Sequence, residues 1–143
     1  MNTQEILIAI LLTLFYFIGG IIDTYTSHRF FPPKVHPPKW LARTFLFWWL
    51  VVFVGILPFL IAFVASGYSL WVIKVFVTFL ILGSVIWDLI FSKIWSGKWI
   101  SKSCETWFWL GSFNLGFDEK TIIPFHLLRI AVFFLAFYLF FLR

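Results

Sequence analysis

Four long apolar runs dominate this sequence of 143 residues. They cover positions 6–22, 45–65, 70–91 and 122–142, and each is close to the roughly 20 residues with which a helix crosses the hydrocarbon of a bilayer. Charged residues make up 12% of the chain, against about 25% in a typical soluble domain. The mean hydropathy is +1.00. The sequence therefore predicts an all-α integral membrane protein with four transmembrane helices in a single membrane domain over 1–143.

The polar residues between the runs set the predicted limits of the spans. We place the four spans at about 5–23, 44–65, 70–92 and 121–142, where each is long enough to cross a bilayer. The second and third spans are joined only by positions 66–69, which predicts a tight antiparallel hairpin.

Small residues and prolines predict local features within two of the spans. Gly19 and Gly20 permit a close helix contact in the first span. Pro58, preceded by Gly55, should bend the second span.

The two longer connections have distinctive compositions. The connection between spans one and two contains Pro32, Pro33, Pro37 and Pro38, and paired prolines favour a stiff extended strap. The connection at 94–117 mixes tryptophans with lysines, which predicts an interfacial or re-entrant segment in the headgroup layer. The Pro-rich connection could also serve as a docking site for a partner protein.

Eight of the eleven Lys and Arg residues lie between the spans on one side, four at 24–43 and four at 93–120. The rule that basic loops stay on the cytoplasmic side therefore predicts cytoplasmic loops and both termini on the outer side. The cations form no basic run of the kind that follows nucleic-acid phosphates, so we expect no nucleic-acid partner. The single cysteine, Cys104, excludes an internal disulfide.

Three charged residues lie inside the four apolar runs, where each costs a few kcal/mol on insertion scales. Asp88 and Arg129 lie in the same half of the membrane, and we predict that they form an intramembrane charge pair. That pair can be a structural link between two helices, or it can take part in gating, proton movement or ligand binding. Lys74 lies one turn inside the opposite end of its span, where its long stem should reach the outer headgroups.

A second set of polar residues lies near the cytoplasmic boundary: Asp23, His28, His36 and His126. Imidazoles and carboxylates of this kind bind zinc, copper or iron, which makes these four residues candidate metal ligands. Their spacing matches no known metal-binding motif. The simpler interpretation is that Asp23 ends the first helix or pairs with a nearby arginine, and that His28 and His36 lie in water at the interface.

The sequence contains no catalytic signature, and three functions remain open. The favoured hypothesis is a non-enzymatic accessory or structural subunit of a larger membrane complex, with other membrane-protein subunits or further copies of the chain as partners. The second is an oligomeric channel or transporter that uses Asp88 and Arg129. The third is a small membrane enzyme or cofactor-binding protein at the cytoplasmic interface. Bound lipids are expected in every case, and a metal, a quinone or a pigment is possible.

Overall fold

A computed structural model describes residues 1–30, 50–100 and 119–143. Every regular element in these ranges is helical. The α-helices are α1 (Thr3–Phe30), α2 (Leu57–Ala65), α3 (Val72–Ser96) and α4 (Glu119–Phe137). Two π-helices, Leu50–Ile56 and Tyr138–Leu142, continue directly into or out of α2 and α4. The all-helical architecture predicted from the sequence is confirmed for these residues.

Three of these helical segments are long and apolar enough to cross a membrane. They cover Thr3–Thr26, Val72–Ser96 and Ile122–Leu142. The second predicted span is described only from Leu50 onwards, and Val51–Ala65 is a shorter apolar helix. These observations support an integral membrane protein. The Pro-rich strap and most of the 94–117 segment lie outside the described residues.

Contacts between the helices give their relative directions. Glu5 and Asp23 of α1 contact Lys74 and Trp87 of α3 in the same order along both helices, so α1 and α3 run parallel. The last span contacts α3 in the opposite order, so it runs antiparallel to α3. Arg129 bonds to Asp88 near the end of α3, while Phe133 packs on Phe79 and Phe141 lies against Lys74.

This arrangement gives the bundle two ends. We call the end where α1 and α3 finish and α4 begins the loop-side end. We call the opposite end, with both termini and the α2–α3 turn, the terminus-side end.

Glycines allow α1 and α3 to approach closely, as predicted for the first span. A Cβ atom added to Gly19 would lie 2.3 Å from the ring of Trp87, and one added to Gly20 would lie 3.2 Å from the Trp87 carbonyl oxygen. Gly83 makes the reciprocal contact, because its added Cβ would lie 1.9 Å from the ring of Tyr16. The close approach predicted at Gly19 and Gly20 is confirmed, and Gly83 is a third such position.

A π-helix occupies the part of the second span in which the sequence predicts a bend. It ends at Ile56 and continues directly into α2, where Pro58 has no N–H to donate to a carbonyl oxygen of the preceding turn. The phenol of Tyr16 donates a hydrogen bond of 2.9 Å to the carbonyl oxygen of Val54, within the π-helix. Irregular helical backbone of this kind exposes carbonyl groups to such side-chain donors.

The connection between α2 and α3 is a tight turn. Gly67 and Tyr68 both have positive φ angles, 69° and 63°, and the amide of Tyr68 donates to the carbonyl oxygen of Phe63 at 2.9 Å. The rings of Tyr68 and Phe63 also pack edge to face, with centroids 5.5 Å apart. These contacts satisfy the last carbonyl groups of α2 and reverse the chain.

The first helix is longer than the span predicted at 5–23. It continues to Phe30, so Asp23 lies inside the helix and does not end it. The hydroxyls of Thr24 and Thr26 donate to the carbonyl oxygens four residues earlier, at 2.7 Å each. These bonds satisfy both hydroxyls within the helix, in the polar part that follows its apolar stretch.

Candidate functional site

The polar side chains within the predicted membrane region gather around α3. Asp88 and Ser84 lie on the side of α3 that faces α4, while Trp87 faces α1. At 1.5 Å per residue, Asp88 lies about 12 Å from the loop-side end of α3, and Arg129 lies about 15 Å from the start of α4. The two side chains are therefore at similar depth, below the surface of the bundle.

Asp88 and Arg129 form a buried ion pair. Nη2 of Arg129 lies 2.6 Å from Oδ2 of Asp88, and the side chains are 15% and 4% exposed, respectively. A charge-assisted bond of this length is among the strong hydrogen bonds of proteins. The structure thus brings together the two residues that the sequence predicts as a pair.

Arg129 makes three further contacts around this ion pair. Its Nη1 donates to Oγ of Ser84 at 3.1 Å, and Nη2 is also in short contact with Nδ1 of His126. The ring of Phe125 covers the guanidinium, with its centroid 4.8 Å from Cζ. We call Ser84, Asp88, His126 and Arg129 the α3–α4 cluster.

The contact between Arg129 and His126 lies beside the ion pair. A guanidinium has only donors, so Nδ1 of His126 is the acceptor where this contact is a hydrogen bond. The charges of Asp88 and Arg129 offset each other.

Asp23 belongs to a separate contact between α1 and α3. The indole Nε1 of Trp87 donates to Oδ2 of Asp23 at 3.0 Å, and both residues are buried. The same indole packs against Tyr16 and against Gly19. The sequence interpretation did not foresee this bond, because nothing in the spacing of positions 23 and 87 indicates that they meet.

A second ion pair joins α1 to α3 at the terminus-side end. Nζ of Lys74 lies 2.6 Å from Oε1 of Glu5, with the side chains 34% and 7% exposed, and it also lies over the ring of Phe141. Asn2 and Glu5 bond to each other's amides at 2.7 and 2.8 Å, which caps the start of α1 and orients the carboxylate. Lys74 was expected to reach the outer headgroups. The sequence offers one indication of its pairing with Glu5, because the two residues lie at the same predicted face of the membrane.

The candidate metal ligands are only partly described. His126 is engaged by Arg129 and Asp23 by Trp87, while His28 lies in the last turns of α1 and His36 lies outside the described residues. Within residues 1–30, 50–100 and 119–143, no group of three or more His, Cys, Asp and Glu residues could hold a metal ion. The metal site predicted from these four residues remains a prediction.

The chemistry available to the α3–α4 cluster follows from these contacts. Its carboxylate and guanidinium form an ion pair, and its imidazole contacts the guanidinium. Such a cluster can link two helices in a membrane, because separating the partners would leave a charge in a medium of low dielectric constant.

Comparison with known proteins gives no relative from which to transfer a function. No protein-family model matches the sequence, no curated protein matches it, and no solved structure matches the chain. What the protein does must therefore be inferred from the contacts of its own residues.

Proposed function

We propose that this protein is an accessory, structural subunit of a larger membrane complex, built from other membrane proteins or from further copies of the chain. The observation that carries the proposal is the exposure of α4 and the π-helix that follows it. Only 6% of the apolar stretch of this last span is buried within the chain, against 44% for α3. Most residues of this transmembrane segment are thus not buried within the chain and are available to contact a neighbour.

The polar groups support a structural role over transport or catalysis. A channel or transporter would need Asp88 and Arg129 to line a path for ions or substrate. Instead, the two side chains point at each other and are 4% and 15% exposed. Their observed contacts attach α4 to α3, which supports a structural role for the pair.

The exposed side of the last span is rich in aromatic residues. Phe134, Tyr138 and Phe140 are exposed, and Leu135 and Leu142 extend the same apolar surface. In lipid the hydrophobic effect does not drive helix association, so van der Waals packing between large, shape-complementary surfaces has to supply it. Aromatic rings offer a large contact area for few rotatable bonds, which suits such an interface.

Photo-crosslinking at two adjacent positions of α4 tests the proposal. Phe134 is 62% exposed and Phe133 is 9% exposed, so they form a matched pair on one helix. With p-benzoylphenylalanine at position 134, in cells expressing the protein at native level, we expect a crosslink to one defined chain. With the same probe at position 133, we expect crosslinks within the protein itself.

Purification in a mild detergent provides the second arm. We expect the crosslinked chain to co-purify at a fixed stoichiometry, measured by native mass spectrometry; for a homo-oligomer, the mass is a multiple of one chain. Crosslinks to lipid alone from position 134, together with a monomeric protein, would overturn the proposal.

We further propose that both termini lie on the outer side and that both longer connections lie in the cytoplasm. The distribution of Lys and Arg supports this orientation, and the parallel α1 and α3 bring Phe30 and Ser96 to one end. After replacement of Cys104 by serine, single cysteines at positions 69 and 98 would be labelled in sealed vesicles. Labelling of both positions from the same face would contradict the orientation.

A further inference from the structure

A groove runs along one side of α1 in the terminus-side half of the bundle. Its volume is about 340 Å³, within the range of small-molecule binding sites. Its surface is almost entirely apolar, and its lining includes residues of α1 and one ring of α3: Ile6, Ala9, Ile10, Thr13, Leu14 and Phe79. Thr13, the polar residue among these, donates its hydroxyl to the carbonyl oxygen of Ala9 at 2.8 Å. The groove therefore suits an apolar ligand.

The groove is open towards the bilayer. Ile6, Ile10 and Leu14 are exposed along it, while Ala9 is buried at its base. In a membrane this opening faces hydrocarbon. Apolar side chains that line an unfilled space lose dispersion contacts, so a chain of methylene groups that enters the groove is stabilised there.

The length of the groove matches the depth of one leaflet. Ile6 and Leu14 are eight positions apart, which corresponds to about 12 Å along a helix. The hydrocarbon of one leaflet is about 15 Å deep, half of the bilayer core. Since the apolar part of α1 covers Thr3–Thr26, the groove occupies only its terminus-side half. It thus fits one extended acyl chain from the leaflet at that end.

The ion pair of Glu5 and Lys74 lies at the terminus-side end of the groove. Glu5 directly precedes Ile6, and the backbone nitrogen of Met1, which also lines the groove, lies 4.0 Å from Oε2 of Glu5. The carboxylate is 7% exposed and accepts from Lys74 and from the amide of Asn2, whereas the Lys74 side chain is 34% exposed. An ammonium group has three hydrogens, so Lys74 can donate to a further acceptor outside the protein.

We propose that the groove binds one acyl chain of a phospholipid whose phosphate accepts a hydrogen bond from Lys74. The phosphate fits because its negative charge complements the accessible ammonium, and lysine side chains of this kind reach the headgroup layer. The acyl chain fits because the groove is apolar and one leaflet deep.

Contact with two helices distinguishes this site from the general lipid surface. A chain in the groove contacts α1 and α3 together, whereas a chain on an exposed helix face contacts that helix alone. The proposal concerns α1 and α3, so it is independent of the accessory role that the exposure of α4 supports.

Photo-crosslinking with lipid probes tests the proposal. The purified full-length protein is reconstituted in phosphatidylcholine vesicles with a small fraction of phosphatidylglycerol that carries a diazirine midway along one acyl chain. The matched probe is a diacylglycerol with the same diazirine chain and no phosphate. After illumination and proteolysis, mass spectrometry maps the adducts, and those at the exposed Phe134 of α4 give the reference for general lipid contact.

Two pairs of variants separate the groove from its surroundings. Ile10→Trp places an indole in the groove, and Leu11→Trp, at the next exposed position of the same helix, is its matched control. Lys74→Gln removes the charge that binds the phosphate. Glu5→Gln alters the same ion pair but keeps the ammonium, so it controls for the structural effect of the pair.

In the wild-type protein, we expect groove adducts of the phosphatidylglycerol probe to exceed those of the diacylglycerol probe about fivefold, the effect of one hydrogen bond. Lys74→Gln should abolish this preference, and Glu5→Gln should retain it. Ile10→Trp should remove most of the groove adducts, and Leu11→Trp should leave them unchanged.

The comparison of the two probes on the wild-type protein decides even if a variant fails to fold. Equal labelling by both probes, groove adducts no more abundant than those at Phe134, or equal effects of the two charge variants would overturn the proposal.

A probe on the protein itself distinguishes a lipid from a protein in the groove. With p-benzoylphenylalanine at position 10, in cells expressing the protein at native level, we expect an adduct with the mass of a phospholipid. A crosslink from this position to another protein chain, including a second copy, would overturn the lipid site. The crosslinks from position 134 are measured separately, so either proposal can fail without the other.

Discussion

Arg129 should be the side chain on which the attachment of α4 to α3 depends most. Its guanidinium bonds to Asp88 at 2.6 Å and to Ser84 at 3.1 Å, and it contacts His126 on its own helix. The change that isolates its charge is Arg129→Met, because methionine retains an unbranched apolar stem and removes only the guanidinium.

The magnitude follows from what the substitution leaves behind. Asp88, whose side chain is 4% exposed, would lose its guanidinium partner. Breaking a buried ion pair costs about 3–5 kcal/mol in soluble proteins, and insertion scales assign about 3 kcal/mol to a charge in the centre of a membrane helix. We therefore expect Arg129→Met to lower the free energy of unfolding by about 3 kcal/mol.

A double-mutant cycle distinguishes this effect from general disruption of α4. Asp88→Asn and Arg129→Met are made singly and together, and unfolding is followed by circular dichroism in mixed micelles as the fraction of dodecyl sulfate rises. Because the double variant leaves neither charge unpaired, we expect it to be about 2 kcal/mol more stable than the sum of the single effects. The control, Ser84→Ala, should lose only about 1 kcal/mol. Strictly additive single effects, or a loss for Arg129→Met no larger than that control, would refute the reasoning.

Three further substitutions test contacts made by α1. Gly83→Ala places a Cβ 1.9 Å from the ring of Tyr16 and should lower the unfolding free energy by about 1–3 kcal/mol in the same micelle assay. An unchanged unfolding free energy would show that α1 and α3 can move apart here at no cost. Tyr16→Phe removes the 2.9 Å bond to Val54 in the π-helix and should cost about 1 kcal/mol; no change in stability would show that this bond contributes nothing. Glu5→Gln should cost less than about 1 kcal/mol, because Lys74 is 34% exposed, and the loss should shrink as salt is raised; a salt-independent loss would contradict an electrostatic origin.

The features that the sequence predicts well are those that depend on composition and local spacing. Four apolar runs predict helices of membrane length, and three of the described helices are long and apolar enough to cross a membrane. Gly19 and Gly20 predict a close approach that Trp87 makes in the structure. The partnership of Asp88 and Arg129 could be inferred because unpaired charges are expensive in a membrane and both residues were expected at one depth.

The features that the sequence does not reveal depend on which faces of two helices meet. Asp23 was expected to end α1 or to pair with a nearby arginine, yet the helix continues to Phe30, and the hydroxyls of Thr24 and Thr26 bond to carbonyl oxygens of the same helix. Its bond to Trp87 requires α1 and α3 to lie side by side in parallel. That relation involves residues 64 positions apart, and no periodicity along the chain encodes it.

The polar contacts together explain how the fold can be specific in a solvent that does not favour burial of apolar surface. In lipid, one apolar helix face is nearly as well solvated as another, so helix pairing must be selected by close packing and by hydrogen bonds. In this chain α3 provides both the close packing and the hydrogen bonds. Lys74 and Trp87 bind α1 near its two ends, Gly83 receives Tyr16 between them, and Asp88 binds α4 on another side. Among the described residues, α4 receives only the last of these anchors and a few ring contacts, so its attachment should be the first to fail when α3 is altered, while α1 and α3 remain paired.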